Sequence, residues 1–222
     1  MRGRFITFEG GEGSGKSTHS TMLAERLKSF GIGVLRTREP GGSPGAEAIR
    51  HVLLSGAAKP LGPQAEALLF AAARSDHVRN TIEPALARGD WVICDRFIDS
   101  TRVYQGSLGH LDQKFLRALE RVTVGELKPD LTFILDVAAD VGLARAGKRR
   151  GDASADRFEE ESLAFHEELR EAYRMLGMSE PDRCVMIDAT EAKQVVAERI
   201  WKTVNERLDP ATAPIRLAGT SA

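Results

Sequence analysis

A glycine-rich segment at residues 10–17 separates an apolar run at residues 5–8 from a helical pattern at residues 18–30. The segment matches the pattern G-x-x-x-x-G-K-[ST], and it has the strand before it and the helix after it that this pattern requires. Such a loop turns its backbone N–H groups toward phosphate oxygens, and the start of the helix adds partial positive charge. It therefore predicts a nucleoside triphosphate site, with Lys16 on the β- and γ-phosphates and Ser17 on Mg²⁺. The predicted triphosphate-binding residues are Gly10, Gly11, Glu12, Gly13, Ser14, Gly15, Lys16, Ser17 and Thr18.

Short apolar runs alternate with helical patterns along the rest of the chain. The further apolar runs are at residues 34–37, 91–94, 131–135 and 184–187. The helical patterns between and after them are at residues 46–54, 64–88, 113–124, 141–146, 159–176 and 191–208. This alternation predicts an α/β fold with a parallel sheet. Ligands bind at the carboxyl ends of such strands, where the sequence places Glu9, Asp95, Asp136 and Asp188.

The composition excludes several classes of protein. The 31 basic and 32 acidic residues give a net charge of −1, so the overall charge favours neither nucleic acid nor an anionic membrane. The two cysteines, Cys94 and Cys184, lie in apolar runs, which argues against a disulfide framework. We expect neither a signal peptide nor a transmembrane segment, because the N-terminal apolar run stops at Glu9 and no uncharged apolar stretch approaches the length that spans a bilayer. We expect one cytoplasmic domain over residues 1–208, followed by a flexible tail at residues 209–222.

The strand end at Asp95-Arg96 separates this chain from other proteins that carry the same loop. The elements D-x-x-G and N-K-x-D, which switch GTPases need, do not occur in the sequence. A motor ATPase would carry an acidic pair at this strand end. An arginine beside the aspartate can instead bridge donor and acceptor phosphates, which indicates a small-molecule kinase.

Four segments, taken in order and spacing, resemble thymidylate kinases over residues 1–208. They are Phe8-Glu9-Gly10, Thr37-Arg38-Glu39-Pro40-Gly41-Gly42, Phe70-Ala71-Ala72-Ala73-Arg74 and Asp95-Arg96-Phe97. The resemblance implies a three-layer fold with a five-stranded parallel sheet, a short mobile lid at about residues 147–157, and a homodimer. It also implies ATP-dependent phosphorylation of dTMP to dTDP with Mg²⁺, a step in dTTP synthesis.

The residues that would bind the acceptor follow in part from spacing and in part from the resemblance. Phe70 and Arg74 are four apart on a predicted helix, so they share a face. From the residues alone, the favoured alternative is that Phe70 is a core side chain and Arg74 a solvated charge. The resemblance implies that Phe70 stacks on thymine and that Arg74 binds the base. The complete predicted dTMP-binding set is Glu9, Glu12, Arg38, Glu39, Pro40, Phe70, Arg74, Arg96, Ser100, Thr101, Tyr104 and Gln105.

A basic segment at residues 145–157 is interrupted by glycines and small residues, as expected for a closing loop. Some thymidylate kinases carry an arginine inside the phosphate loop, where this chain has Glu12 and Ser14. We therefore expect Arg149 or Arg150 to supply the missing charge, and the sequence does not distinguish them. Lys16 and Arg96 complete the predicted catalytic set, and the predicted metal ligands are Ser17, Glu9 and Asp95. The family layout implies that Arg145, Ala189 and Thr190 surround the adenine.

Two alternatives remain open at the level of sequence. The same fold could serve a kinase for another nucleoside monophosphate or a small metabolite. A nucleotide-dependent regulator, which hydrolyses ATP without an acceptor, is the alternative from a different class.

Overall fold

The computed structural model of the chain describes residues 2–151 and 157–213. Within these residues, five strands form one sheet in the order β2-β3-β1-β4-β5, and all pairs are parallel. The strands are Phe5–Glu9 (β1), Val34–Arg38 (β2), Trp91–Asp95 (β3), Leu131–Asp136 (β4) and Cys184–Asp188 (β5). The predicted α/β fold with a five-stranded parallel sheet is confirmed.

Helices follow each strand and cover the sheet. Their bounds are Lys16–Ser29 (α1), Pro44–Leu54 (α2), Gly62–His77 (α3), Glu83–Ala87 (α4), Ile98–Thr101 (α5), Gln113–Val124 (α6), Ala139–Arg150 (α7), Leu163–Ser179 (α8) and Lys193–Leu208 (α9). Two π-helical segments, Val78–Ile82 and Arg102–Leu108, follow α3 and α5. The single helix predicted at residues 64–88 is thus interrupted, and Pro84, which has no N–H to donate, lies just after the interruption.

The core lies on both faces of the sheet, because its central strands are covered on both sides. On one face, Phe8 and Leu27 pack with Ile200 and Val204 of α9. On the other face, Phe5 packs with Ile82 of the first π-helical segment, Leu86 of α4 and Val92 of β3. The result is the three-layer arrangement of helices, sheet and helices. No helix within residues 2–151 and 157–213 combines the length and the apolar character that crossing a membrane requires.

The first residues of the predicted lid, 147–150, are helical and belong to the end of α7. Helix α7 extends four residues beyond the predicted end and stops at Gly151, whose φ is +61°. Arg149 and Arg150 therefore lie in its last turn, since lysine and arginine are good helix formers. Residues 152–156 of the lid and residues 214–222 of the tail lie outside the described residues. The start of the tail forms a short 3₁₀ turn, Pro210–Thr212, in which Pro210 is buried.

A close backbone contact joins the glycine-rich loop to helix α7. A Cβ on Gly142 would lie 2.3 Å from the carbonyl oxygen of Glu12, and a Cβ on Gly13 would lie 1.9 Å from the carbonyl oxygen of Gly142. Both distances are far below van der Waals contact, so neither position has room for a side chain. The contact fixes α7, with its basic last turn, against the loop.

Substitution of Gly142 tests this contact. We expect Gly142→Ala to lower the free energy of unfolding by about 1–3 kcal/mol, because the added methyl group must push the loop and the helix apart. It should also weaken ATP binding, as measured by calorimetry. Gly147→Ala is the matched control on the same helix, since a Cβ there has no neighbour within 4 Å. The control should be neutral or up to about 1 kcal/mol more stable because alanine is the better helix former. Equal thermal unfolding curves for the two variants would contradict the contact's role.

Candidate active site

A cavity at the carboxyl ends of the strands brings most of the predicted site residues together. Its lining joins the glycine-rich loop, the end of β2, one face of α3, the end of β3 and the π-helical segment after α5. The predicted residues that line it are Glu12, Gly13, Gly15, Lys16, Ser17, Arg38, Glu39, Pro40, Phe70, Arg74, Asp95, Arg96, Ser100, Thr101, Tyr104, Gln105 and Arg149. Other predicted residues lie outside this lining, and they are Glu9, Gly10, Gly11, Ser14, Thr18, Arg145, Arg150, Ala189 and Thr190.

The glycine-rich loop forms a tight turn into the first helix. Gly10 and Gly15 have φ angles of +130° and +95°, which a side chain would disfavour, and Gly15 directly precedes α1. Inside this turn the Lys16 ammonium donates to the carbonyl oxygens of Gly10 at 3.0 Å and Gly11 at 2.8 Å. Burial lowers the pKa of Lys16 to about 8, and the nearby Arg96 acts in the same direction. The loop is therefore a concave, positively charged site for phosphate oxygens.

Two of the three predicted metal ligands meet at the mouth of this loop. The Ser17 hydroxyl donates to Asp95 Oδ2 at 2.5 Å, and both residues line the cavity. A hydroxyl and a carboxylate are hard oxygen donors that suit Mg²⁺, which also keeps water and phosphate oxygens as ligands. Residues 2–151 and 157–213 contain no cluster of three or more His, Cys, Asp or Glu side chains that could hold a metal.

The third predicted ligand, Glu9, is engaged elsewhere. Its side chain is fully buried, and its carboxylate accepts hydrogen bonds from the Phe97 N–H at 2.7 Å, from the Ser100 hydroxyl at 2.7 Å and from the Tyr173 hydroxyl at 2.9 Å. Burial, with repulsion from Asp99, raises the pKa of Glu9 to about 7. These contacts give Glu9 a role in holding the β3–α5 connection, and they place it behind the cavity.

Arg96 lies between the phosphate loop and the acceptor side of the cavity. Its backbone is left-handed, with φ +67°, and its guanidinium donates to Glu12 Oε1 at 2.5 Å. The same guanidinium lies 5.3 Å from the centre of the Tyr104 ring. Burial alone would raise the pKa of Glu12, but the positive charges of Arg96 and Lys16 lower it to about 2. Arg96 and Glu12 thus form an ionised pair within the cavity.

The acceptor side is built around Arg74, which is only 3% exposed. Its Nε donates to Glu39 at 2.7 Å, Nη1 to Thr101 at 3.0 Å and Nη2 to the carbonyl oxygen of Phe97 at 3.1 Å. The alternative in which Arg74 is a solvated surface charge is therefore wrong. Among the described residues, these contacts use three of the five N–H donors of a guanidinium.

Phe70 and the segment after the lid close the acceptor side. Phe70 is half-buried and lines the cavity, with its ring centre 6.3 Å from that of Phe158. The ring of Phe158 also meets Tyr104 edge-on at 5.3 Å. Phe158 and Glu159 line the cavity but were not predicted from the sequence. Their position in the sequence, directly after the basic segment at residues 145–157, was the one feature that could have indicated a place in the cavity.

The basic last turn of α7 also contributes to the wall of the cavity. Arg149 lines the cavity and lies 3.7 Å from Glu159, while Arg150 forms an ion pair with the same glutamate. Further back on the helix, Arg145 Nη1 donates to the carbonyl oxygen of Ala189 at 2.9 Å. Arg145 and Ala189, which the family layout places at the adenine, are thus in contact. The neighbouring Thr190 is exposed and donates to Asp188 at 2.6 Å.

Comparison with known proteins agrees with this geometry. The sequence profile described as thymidylate kinase matches residues 8–200. The chain belongs to the thymidylate kinase family. It is 63% identical over 210 residues to a thymidylate kinase of Afipia carboxidovorans, an alignment that covers 95% of this chain and 92% of that protein. Identity to a thymidylate kinase of Bradyrhizobium diazoefficiens is 59% over 214 residues, covering 96% and 94% of the two chains.

A solved thymidylate kinase structure has the same fold. The crystal structure of the Ehrlichia chaffeensis thymidylate kinase matches with a TM-score of 0.72 at 32% identity, covering 92% of this chain and 99% of that one. The resemblance seen in the sequence is confirmed. As a member of the thymidylate kinase family, the chain is a phosphotransferase.

Proposed function

We propose that this chain transfers the terminal phosphoryl group of ATP to dTMP, giving ADP and dTDP on the route to dTTP. The observation that carries the proposal is that one cavity holds both a phosphate loop and an acceptor floor. Lys16 and Ser17 line one end, Phe70 and Arg74 line the other, and Arg96 lies between them. Such an arrangement can align a donor and an acceptor phosphate for in-line transfer.

At the donor end, the loop N–H groups and Lys16 bind the triphosphate. Ser17 and Asp95 would hold Mg²⁺, which when bound neutralises negative charge on the phosphate oxygens. Arg145 and the Ala189-Thr190 pair would border the adenine, with the guanidinium of Arg145 held by the Ala189 carbonyl.

At the acceptor end, the Phe70 ring offers a stacking surface for thymine, and Arg74 offers N–H groups to a base carbonyl. Arg74 is preorganised for this task because Glu39, Thr101 and the Phe97 carbonyl fix its plane. The buried Gln105 supplies an amide at the same floor, and Tyr104 would crowd a ribose 2′-hydroxyl and so favour a deoxynucleotide. The ionised Glu12 would accept a hydrogen bond from the sugar 3′-hydroxyl.

No general base is needed, because the oxygens of the acceptor phosphate are already nucleophilic. Lys16 and Arg96 neutralise charge that spreads over the transferred group in the transition state. Of the two arginines at the end of α7, Arg149 is the better placed to assist, since it lines the cavity. Arg150 is paired with Glu159, which holds the segment around Phe158 against α7.

A substrate panel tests the assignment. With ATP and Mg²⁺ present, coupled ADP release should be fastest with dTMP among dTMP, dUMP, UMP, CMP, AMP, GMP and shikimate, because Phe70, Arg74 and Tyr104 together select a deoxythymidine. A clear preference for another acceptor would refute the assignment of dTMP as the substrate. ADP release that needs no acceptor would instead favour a regulatory ATPase.

The stacking role of Phe70 has its own test. We expect Phe70→Ala to raise the KM for dTMP at least about tenfold while the KM for ATP changes little, since base stacking is worth about 1–3 kcal/mol. Phe30→Ala is the control, because Phe30 is half exposed and packs on Trp201 away from the cavity. Equal effects of Phe70→Ala on both substrates would contradict the stacking role.

We further propose that the chain acts as a homodimer in the cytoplasm, without nucleic acid or membrane partners. Helices α3 and α6 pack against each other and each exposes an apolar side chain, with Leu68 52% and Val122 81% exposed, and we propose that a second copy covers these two side chains. Both cysteines are free and buried, which suits a reducing compartment.

Substitution of the exposed apolar residues tests the dimer. Leu68→Glu combined with Val122→Glu should give the mass of a monomer in light scattering after size exclusion, because buried unpaired carboxylates oppose association. Val195→Glu, at an exposed position of α9, should leave the mass unchanged. A wild-type chain with monomer mass would refute the dimer.

A further inference from the structure

Tyr173 lies on helix α8, 77 positions along the chain from Arg96, yet its hydroxyl reaches the back of the active site. The side chain is 2% exposed, and its ring packs in a core cluster with Val103, Ile134, Leu169 and Cys184. Its position is therefore fixed by the ring, independently of any bound nucleotide. We propose that Tyr173 is a positioning residue for phosphoryl transfer, which acts by holding the guanidinium of Arg96. This inference rests on the proposed function.

The Tyr173 hydroxyl joins three groups of the site. It donates to Glu9 Oε2 at 2.9 Å, accepts from Arg96 Nη1 at 3.2 Å and lies 3.0 Å from the Ser100 hydroxyl. Ser100 in turn donates to Glu9 Oε2 at 2.7 Å. The phenol thus connects the end of β1, the end of β3 and the start of α5 at one point.

Arg96 needs this support more than an ordinary buried arginine does. Its guanidinium shares the cavity with the ammonium of Lys16, and repulsion between the two positive charges adds to burial in lowering the pKa of Lys16. Its left-handed backbone conformation, at φ +67°, is one that a non-glycine residue adopts only when the surroundings enforce it.

The two ends of the guanidinium are held by different partners. Glu12 binds Nη2, whereas Tyr173 and Ser100 bind Nη1, at 3.2 Å and 3.3 Å. Without the phenol, Nη1 would keep only the longer of these two contacts. The guanidinium could then swing about Glu12, away from the point where both phosphates meet it.

Tyr173→Phe removes the hydroxyl and keeps the ring that packs in the core. We expect kcat to fall about 10- to 100-fold while the KM for ATP stays within about twofold of wild type, because a misplaced cation costs transition-state stabilisation more than ground-state binding. The measurement is steady-state ADP release with dTMP and ATP varied in turn.

The matched control removes a different buried hydroxyl below the same site. Thr7→Val deletes the 2.7 Å hydrogen bond to Thr132 inside the sheet, and Thr132 keeps a second partner in Arg183. Its loss of thermal stability should be similar to that of Tyr173→Phe, but its kcat should stay at the wild-type value. Equal kcat values for the two variants would overturn the proposal, as would a Tyr173→Phe variant in which only the KM values rise.

A double-mutant cycle separates positioning from a general structural effect. In an Arg96→Lys background no guanidinium fork remains to be oriented, so adding Tyr173→Phe should lower kcat by less than about threefold further. If the decrease in kcat of the double variant instead equals the product of the decreases in the two single variants, Tyr173 acts independently of Arg96 and the inference is wrong. A wild-type chain that does not phosphorylate dTMP would refute the proposed function itself, which is a separate outcome.

Discussion

The pairing of β1 with both β3 and β4 is the constraint on which the rest of the site depends. β1 is buried at every position; its residue Phe8 lies in register with Asp95, the end of β3, and Glu9 lies in register with Ile134, two residues before the end of β4. Because the strands are parallel, the loop that leaves β1 and the Asp95-Arg96 pair that leaves β3 must emerge side by side. The N–H of Arg96 donates to the carbonyl oxygen of Phe8 at 2.9 Å, which extends this register into the active site.

The cavity concentrates positive charge, and one buried acid and one partly buried acid hold that charge in place. Arg74 is paired with Glu39, and Arg96 with Glu12, at distances of 2.7 Å and 2.5 Å. A buried cation without such a partner would carry a large desolvation cost. Arg74 and Arg96 both line the cavity, and in the proposed function their guanidinium groups face a base carbonyl and phosphates. In the proposed function, stability of the free protein and substrate binding therefore use the same side chains.

The sequence singled out residues that carry a local signature, and it missed residues that only long-range packing brings to the cavity. Phe70 and Arg74 are four residues apart on α3, so they lie on the same face of the helix, and both line the cavity. Tyr173 reaches the site because α8 packs against β4 and β5, and an isolated tyrosine in a helical pattern is usually a core residue. Phe158, which precedes α8, is placed by its ring contacts with Phe70 and Tyr104. Glu9 shows the opposite case, since an acid beside a phosphate loop suggests a metal ligand, while packing directs it to Ser100 and Tyr173.

The sequence by itself determined the phosphate loop, the alternation of strands and helices, and the family, because these depend on local spacing and on short motifs. Only the tertiary structure decided which side chains hold Arg96, which acid remains beside Ser17, and which arginine of the α7 end faces the cavity. Those answers depend on how close segments that are distant in the chain can approach one another. At Gly13 and Gly142 the approach is limited by backbone contact alone, and no pattern within either segment specifies its partner. The loop that defines the chain's chemistry is therefore encoded locally, whereas its alignment with the acceptor is a property of the packed fold.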